Sequence, residues 1–144
     1  RGLESGQSAM HGGDDQVEQK YRRSGLDRET SQVFLNDLSS HMQNNKPYLE
    51  GDLVLPQLAQ QLGISANYLS QIINEQLHVN FYDFVNGYRV EEAKRIILED
   101  RDGKLTVEDI AEQVGYNSKS SFNTVFKKLT GQTPSQYRQY SKNL

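Results

Sequence analysis

Between Ser118 and Arg138 the chain reads SKSSFNTVFKKLTGQTPSQYR, with four cationic side chains and no Asp or Glu. The cations are Lys119, Lys127, Lys128 and Arg138, with Ser120, Asn123 and Thr124 interleaved among them. Amines of this kind donate to anions, while amides and hydroxyls both donate and accept. That is the chemistry of recognition, not of bond making. Elsewhere Cys is absent, His11, His41 and His78 are scattered, and no Gly-rich phosphate loop or paired metal-ligand spacing occurs. Disulfides, zinc-cysteine sites and thiol catalysis are thereby excluded. No catalytic, cofactor-binding or metal-ligating residue is assigned, and the chain is not expected to be an enzyme.

The cations matter because the whole chain is acidic, at net charge −3 over 144 residues. Residues 1–46 hold seven acids and six bases, residues 47–112 twelve acids and five bases, and residues 113–144 no acids and five bases. The acidic total hides a basic end. Such an end is often only a solvated face or tail, so charge alone does not assign a partner. At 35% hydrophobic residues, part of the chain is expected to stay unpacked. No apolar run approaches the roughly 18 residues of a membrane helix. The absence of Cys fits a reducing compartment, and the expected location is cytoplasmic. The first residue is Arg1, which reads as a piece of a longer chain.

These side chains need elements to hold them. Residues 1–20 are Gly-rich and polar, and residues 1–26 read as a flexible linker or a vector-derived remnant. A helix is expected over 27–46, with Phe34, Leu35, Leu38 and Met42 at helical spacing. Pro47 breaks it, since the residue before a proline is driven out of the helical region. Further helices are expected at about 55–62, 66–76, 81–98, 107–114, 119–129 and 134–141, with no convincing strand. Thr106 and Asp109 have capping-box spacing, with Asp in place of Glu or Gln.

Self-similarity is the most informative feature. LAQQLGISANYLSQIIN (58–74) resembles IAEQVGYNSKSSFNTVFK (110–127). Leu58, Ala59, Leu62 and Gly63 match Ile110, Ala111, Val114 and Gly115. After one extra residue in the second copy, Ser65 matches Ser118, Leu69 matches Phe122, and Ile72 and Ile73 match Val125 and Phe126. Each piece suits a helix-turn-helix. The small Ala allows close approach, the Gly takes a left-handed backbone, Ile64 or Tyr116 plugs the corner, and the Ser caps the second helix. The outward faces are then Ala66, Asn67, Ser70, Gln71 and Asn74 in copy one, and Lys119, Ser120, Asn123, Thr124 and Lys127 in copy two. Asn and Gln suit adenine edges, and Lys suits guanine or phosphate.

A single copy would read equally well as a helical hairpin that merely packs; two copies with such outward faces favour double-stranded DNA as the partner. Phe81–Leu98 between the copies would form a helix about 27 Å long at 1.5 Å per residue. That is comparable to one turn of DNA, roughly 34 Å, so a rod of this length can serve two reading helices in successive major grooves.

Residues 50–141 resemble the DNA-binding domain of AraC/XylS-family transcription regulators. The resemblance rests on LAQQLGIS, NYLSQIIN, NFYDFVNGYRVEEAKRIIL and above all TVEDIAEQVGYNSKSSFNTVFKKLTGQTPSQYR. It implies an all-α fold: two helix-turn-helix subdomains joined by a long linker helix, here with an extra N-terminal helix. The domains would be a first unit at 47–80, a linker helix at 81–99 and a second unit at 100–144, behind the helix at 27–46. It implies a sequence-specific DNA-binding domain of a bacterial transcription regulator. Base-facing positions fall on Asn67, Ser70 and Gln71 in unit one, and on Lys119, Ser120, Asn123 and Thr124 in unit two. Lys127 and Lys128 join them as DNA contacts. Arg89 matches a linker-helix arginine with a structural role. Gly131, Thr133, Pro134, Tyr137 and Arg138 match the closing signature, Arg138 either touching phosphate or pairing within the fold.

KYRRSGLDRE (20–29) and NNKPYLEGDLVL (44–55) resemble a subset whose N-terminal sensor is often membrane-embedded. That subset implies a missing sensor and a membrane anchor in the intact protein; RNA polymerase, and a second copy joined through the missing part, are candidate further partners. Two departures stand out. His78 replaces the Gly often found after the first reading helix. That helix also carries no Lys or Arg and has Glu75 near its end, so weaker phosphate attraction is expected from unit one. The alternative is a helical protein-interaction module without DNA binding. DRDGKLTVED resembles part of a calcium loop through Asp100, Asp102 and Asp109, but Leu98 falls on the first ligand position. It reads as a polar interhelical loop and a capped helix.

Overall fold

Caps and breakers written into the sequence divide the chain into short helices. The computed structural model describes residues 27–143, and among them it contains helices and no strand. The segment 1–26, expected as linker or remnant, lies outside the described residues. The helices are α1 Asp27–Asn45, α2 Leu55–Leu62, α3 Ala66–Leu77, α4 Phe81–Glu99, α5 Val107–Gln113, α6 Lys119–Thr130 and α7 Pro134–Lys142. Each boundary lies within a residue of the sequence expectation. The fold is all-α, with two helix-turn-helix pairs. One element went unforeseen, a 3-10 turn at Pro47–Leu49. Lys46, between the end of α1 and Pro47, takes φ 47°, with its amide bonded to the Met42 carbonyl at 3.2 Å.

The described residues fall into two compact units. The first joins residues 27–47 to Leu53–Phe81, and the second joins Tyr48–Asp52 to residues 82–143. In the first unit α1 packs on α2, and α2 on α3. Leu38 and Met42 of α1, Leu58 and Ala59 of α2, and Tyr68, Leu69, Ile72 and Ile73 of α3 are buried. Gly63 ends α2 at φ 72°, a conformation a side chain takes only at a cost.

In the second unit Val90, Ala93 and Ile97 give α4 one buried face. It joins Ile110, Ala111, Val114 and Tyr116 with Phe122 and Phe126 of α6 in one core, and Val125 and Tyr137 pack against its edge. Phe122 lies between Tyr116 and Phe126, with ring centroids 5.4 and 5.6 Å away, tilted against the first and edge-on to the second. Cutting it to Ala should cost about 3–5 kcal/mol, the usual penalty for an emptied aromatic site.

The connections are satisfied by their own side chains. Asp100 accepts from the Lys104 and Leu105 amides at 3.1 and 2.9 Å. Thr106 and Asp109 close the expected capping box at the start of α5. Two of the four carboxylates of the DRDGKLTVED segment, those of Asp100 and Asp109, thus accept from backbone donors. Thr133 and Gln136 form a second box at the start of α7, with Pro134 in its first turn.

Candidate nucleic-acid interface

The first face is built on α3. Ser65 caps the helix, its Oγ accepting from the Tyr68 amide at 3.1 Å. Burial of Tyr68, Leu69, Ile72 and Ile73 commits one side to the core. Asn67 and Asn74 are left exposed, with Ser70 and Gln71 half-buried between them. Asn74 Nδ2 donates to Ser70 Oγ at 3.4 Å, so the two neighbours on this face are linked. The face is neutral, and Glu75 stands exposed beyond it. The helix ends on His78 at φ 60° and ψ 32°, in the left-handed region where a glycine would be unstrained.

The second face is built on α6. Ser118 caps it through its Oγ, 3.1 Å from the Ser121 amide. Lys119, Ser120, Thr124, Lys127 and Lys128 are exposed and Asn123 is half-buried. Lys127 and Lys128 lie in the last turn, where cations suit the helix dipole. Thr124 Oγ1 donates to the Ser120 carbonyl at 3.0 Å. Its proton is spent within the helix, so the hydroxyl offers acceptor lone pairs and a methyl outward.

Lys119 differs from the other two lysines. It is the first residue of α6, the positive end of the dipole, and its Nζ lies 3.5 Å from Oε1 of Glu108 on α5. Both side chains are more than half exposed, so the pair is open to exchange with another anion. Arg138 is turned inward: its Nη2 meets Asp100 at 3.6 Å, with only 18% of the side chain exposed. Of the two roles open to it in the sequence, pairing within the fold is the one found. The carboxylate-free stretch therefore borrows counter-charges from Glu108 and Asp100, which sequence inspection of that stretch missed. The spacing of Glu108 and Lys119 across a helix-turn-helix corner was the available signal.

Behind this face, Arg89 of α4 is buried. Its Nε and Nη2 donate to the carbonyls of Tyr48 and Glu50 at 2.7 and 2.8 Å, and its guanidinium stands 5.4 Å from the Tyr116 ring centre. Burial draws the guanidinium below its ordinary range and pushes the Tyr116 hydroxyl up to about 12. That hydroxyl donates to Asn86 at 2.7 Å. Asn67, Ser70 and Gln71 are thus gathered on one helix and Lys119, Ser120, Asn123, Thr124, Lys127 and Lys128 on another, each in its own unit.

A family model described as "Helix-turn-helix domain" matches residues 58–140, more than half of the chain. The chain belongs to the AraC-type helix-turn-helix family. It is a helix-turn-helix DNA-binding domain of the kind carried by transcription regulators, a family of DNA-binding modules and not of enzymes. It is 36% identical over 95 residues to an HTH-type transcriptional regulator, YtdP, of Bacillus subtilis, covering 66% of this chain and 12% of that protein. The chain spans about an eighth of the length of such curated relatives. The C-terminal domain of AraT, a response regulator from Geobacillus stearothermophilus, aligns with a TM-score of 0.64 at 33% identity, over 74% of this chain and 84% of that one. An AraC-type transcriptional regulator from Chromobacterium violaceum shares the fold at a TM-score of 0.66 and 18% identity, over 78% and 96% of the two chains. No helix among the described residues is long and apolar enough to cross a membrane.

Proposed function

We propose that this AraC-type domain reads double-stranded DNA through two unlike faces placed in successive major grooves. Asn67, Ser70 and Gln71 of α3 supply neutral hydrogen bonding to base edges. Ser120, Asn123 and Thr124 of α6 supply the same chemistry, while Lys119, Lys127 and Lys128 add attraction to phosphates and guanine. What carries this reading is that two capped helices of matching internal design each bury their apolar side and turn hydrogen-bonding side chains outward. Thr124, with its proton committed to Ser120, suits a base-edge donor or a thymine methyl.

The test is selection of bound sites from a random duplex library, followed by binding of alanine variants to the selected site. Two half-sites about one helical turn apart are expected. Gln71→Ala and Asn123→Ala should each cost roughly 1–3 kcal/mol and relax preference at particular base pairs. An equal loss for every sequence would remove those residues from readout.

The chain is acidic overall, at net charge −3, so its own affinity for DNA is expected to be modest. In the intact regulator a second copy, brought in through the N-terminal portion, would raise affinity through effective concentration. Equal operator affinity for this chain and the intact protein would count against that. That portion would carry the sensor, with or without a membrane anchor, leaving this domain in the cytoplasm where it can meet DNA and RNA polymerase.

A further inference from the structure

Helix α1 lies outside the residues 58–140 that the family model matches, yet it is built into the first reading unit. Its Leu38 is 2% exposed and its Met42 fully buried. His41 Nε2 meets Gln61 Oε1 of α2 at 2.6 Å. Most directly, the Phe34 ring stands edge-on to Tyr68 of α3, with centroids 5.2 Å apart and planes at 90°.

Tyr68 is the third residue of α3 and is 3% exposed. Its amide is the one that Ser65 Oγ accepts from. The first turn of α3 is therefore fixed at one residue from two sides, by its own cap and by a ring from α1. Asn67 immediately precedes that residue, and Gln71 follows it by three, the spacing of helical neighbours. The first turn of a reading helix is also where base contacts concentrate.

The repeat shows that this is a property of the first unit alone. With Ser65 matched to Ser118 and Leu69 to Phe122, Tyr68 falls opposite Ser121, which is exposed. A large aromatic is buried at this position in the unit that has α1 beside it, and a small hydroxyl stands in solvent in the other. Phe34 itself is only half-buried, the deeper burial on α1 being that of Leu38 and Met42.

We infer that Phe34 is a positioning residue for base reading by α3, acting through Tyr68 on the placement of Asn67 and Gln71. This rests on the assignment of the α3 face to base readout.

The test uses the 144-residue chain and the site selected from a random library, with every base pair varied singly. Phe34→Leu should lose roughly two- to tenfold in discrimination, the scale of one aromatic pair, at those base pairs where Asn67→Ala also loses it. Discrimination at the pairs where Asn123→Ala acts should be unchanged, and Phe34→Tyr should restore the wild-type pattern. A uniform loss over all sequences, or none, would overturn the positioning role while Asn67→Ala still shifted its own base pair. If Asn67→Ala shifts no base pair, the readout assignment fails and this role fails with it. Thermal melts accompany each variant, with Phe34→Met as a second ring-free replacement. Unfolding of the first unit in both Phe34→Leu and Phe34→Met would assign Phe34 to stability alone and overturn the proposal.

Discussion

Arg89 Nε donates to the carbonyl of Tyr48 at 2.7 Å, across 41 positions of sequence. Together with the Glu50 carbonyl on Nη2, this bond ties the Tyr48–Asp52 segment to the core of the second unit. Arg89→Met keeps most of the apolar stem but leaves two carbonyls without their donor. It should cost about 2–4 kcal/mol, read by chemical denaturation, since hydrogen bonds from charged donors are the stronger ones. An unchanged midpoint would mean the segment is held without the arginine.

Gly115 should be the less replaceable of the two corner glycines. A Cβ there would lie 2.9 Å from both Arg89 Nε and Tyr48 O, on a backbone at φ 98°. A Cβ on Gly63, at φ 72°, would meet nothing within 4 Å. Gly63→Ala therefore pays backbone strain only, about 1–2 kcal/mol. Gly115→Ala pays that and a clash, and thermal unfolding should rank it clearly the more damaging; equal losses would remove the close packing from the explanation.

At His78 the direction reverses. A non-glycine residue at φ 60° closes α3, its amide bonded to the Asn74 carbonyl at 3.1 Å. His78→Gly keeps that bond and relieves the strain, so a gain of about 0.5–1 kcal/mol in the unfolding free energy is expected. A loss would mean that the imidazole makes a contact worth more than the strain.

Glu108 Oε1 lies 3.5 Å from Lys119 Nζ. For Lys119 to reach a phosphate, that pair must open. Glu108→Gln should tighten binding to non-specific duplex by roughly two- to fivefold at low salt, within the range of an exposed ion pair, and the gap should close as salt rises. Affinities that match wild type at low salt would take Lys119 out of the DNA-contacting set.

Local signals made most of the fold legible. Ser65, Ser118, Thr106 and Thr133 cap helices as their types and spacings indicate. The paired Gly, corner and apolar positions of the repeat gave both helix-turn-helix units, and with them the two faces. What was not legible depends on distant partners. Arg89 could be read as structural but not as a clamp on Tyr48 and Glu50, because the two stretches meet only after folding. For the same reason Gly115 looked like a helix terminator, and its second task, making room for Arg89, was invisible. Among the cations of residues 113–144, the sequence left two roles open for Arg138 and did not separate Lys119 from Lys127 and Lys128 by any partner. Only the fold sets Arg138 against Asp100 and Lys119 against Glu108, leaving Lys127 and Lys128 as exposed lysines in the last turn of α6.

Acid should weaken the loop and caps before the core. Amides of Leu105 and then Lys104 hold the Asp100 carboxyl below its ordinary range, and the Thr106 amide does so for Asp109. A depressed carboxylate contributes stability that is present above its unfolded pKa and lost as pH falls through its folded one. Unfolding free energy should thus decline from about pH 4 downward. A variant carrying Asp100→Asn and Asp109→Asn should be weaker at neutral pH, with the gap closing as pH falls. A constant gap would rule out these carboxylates as the acid-sensitive groups.

Contact between α6 and phosphates is central to the proposed DNA binding. The decisive measurement is the logarithm of affinity for duplex DNA against the logarithm of salt concentration, for wild type and for Lys127→Ala and Lys128→Ala. The prediction is a steep linear fall, with a slope shallower by about one in each variant, as released counterions require. A wild-type slope near zero, or variants that leave it unchanged, would contradict the account and favour a protein partner for these helices.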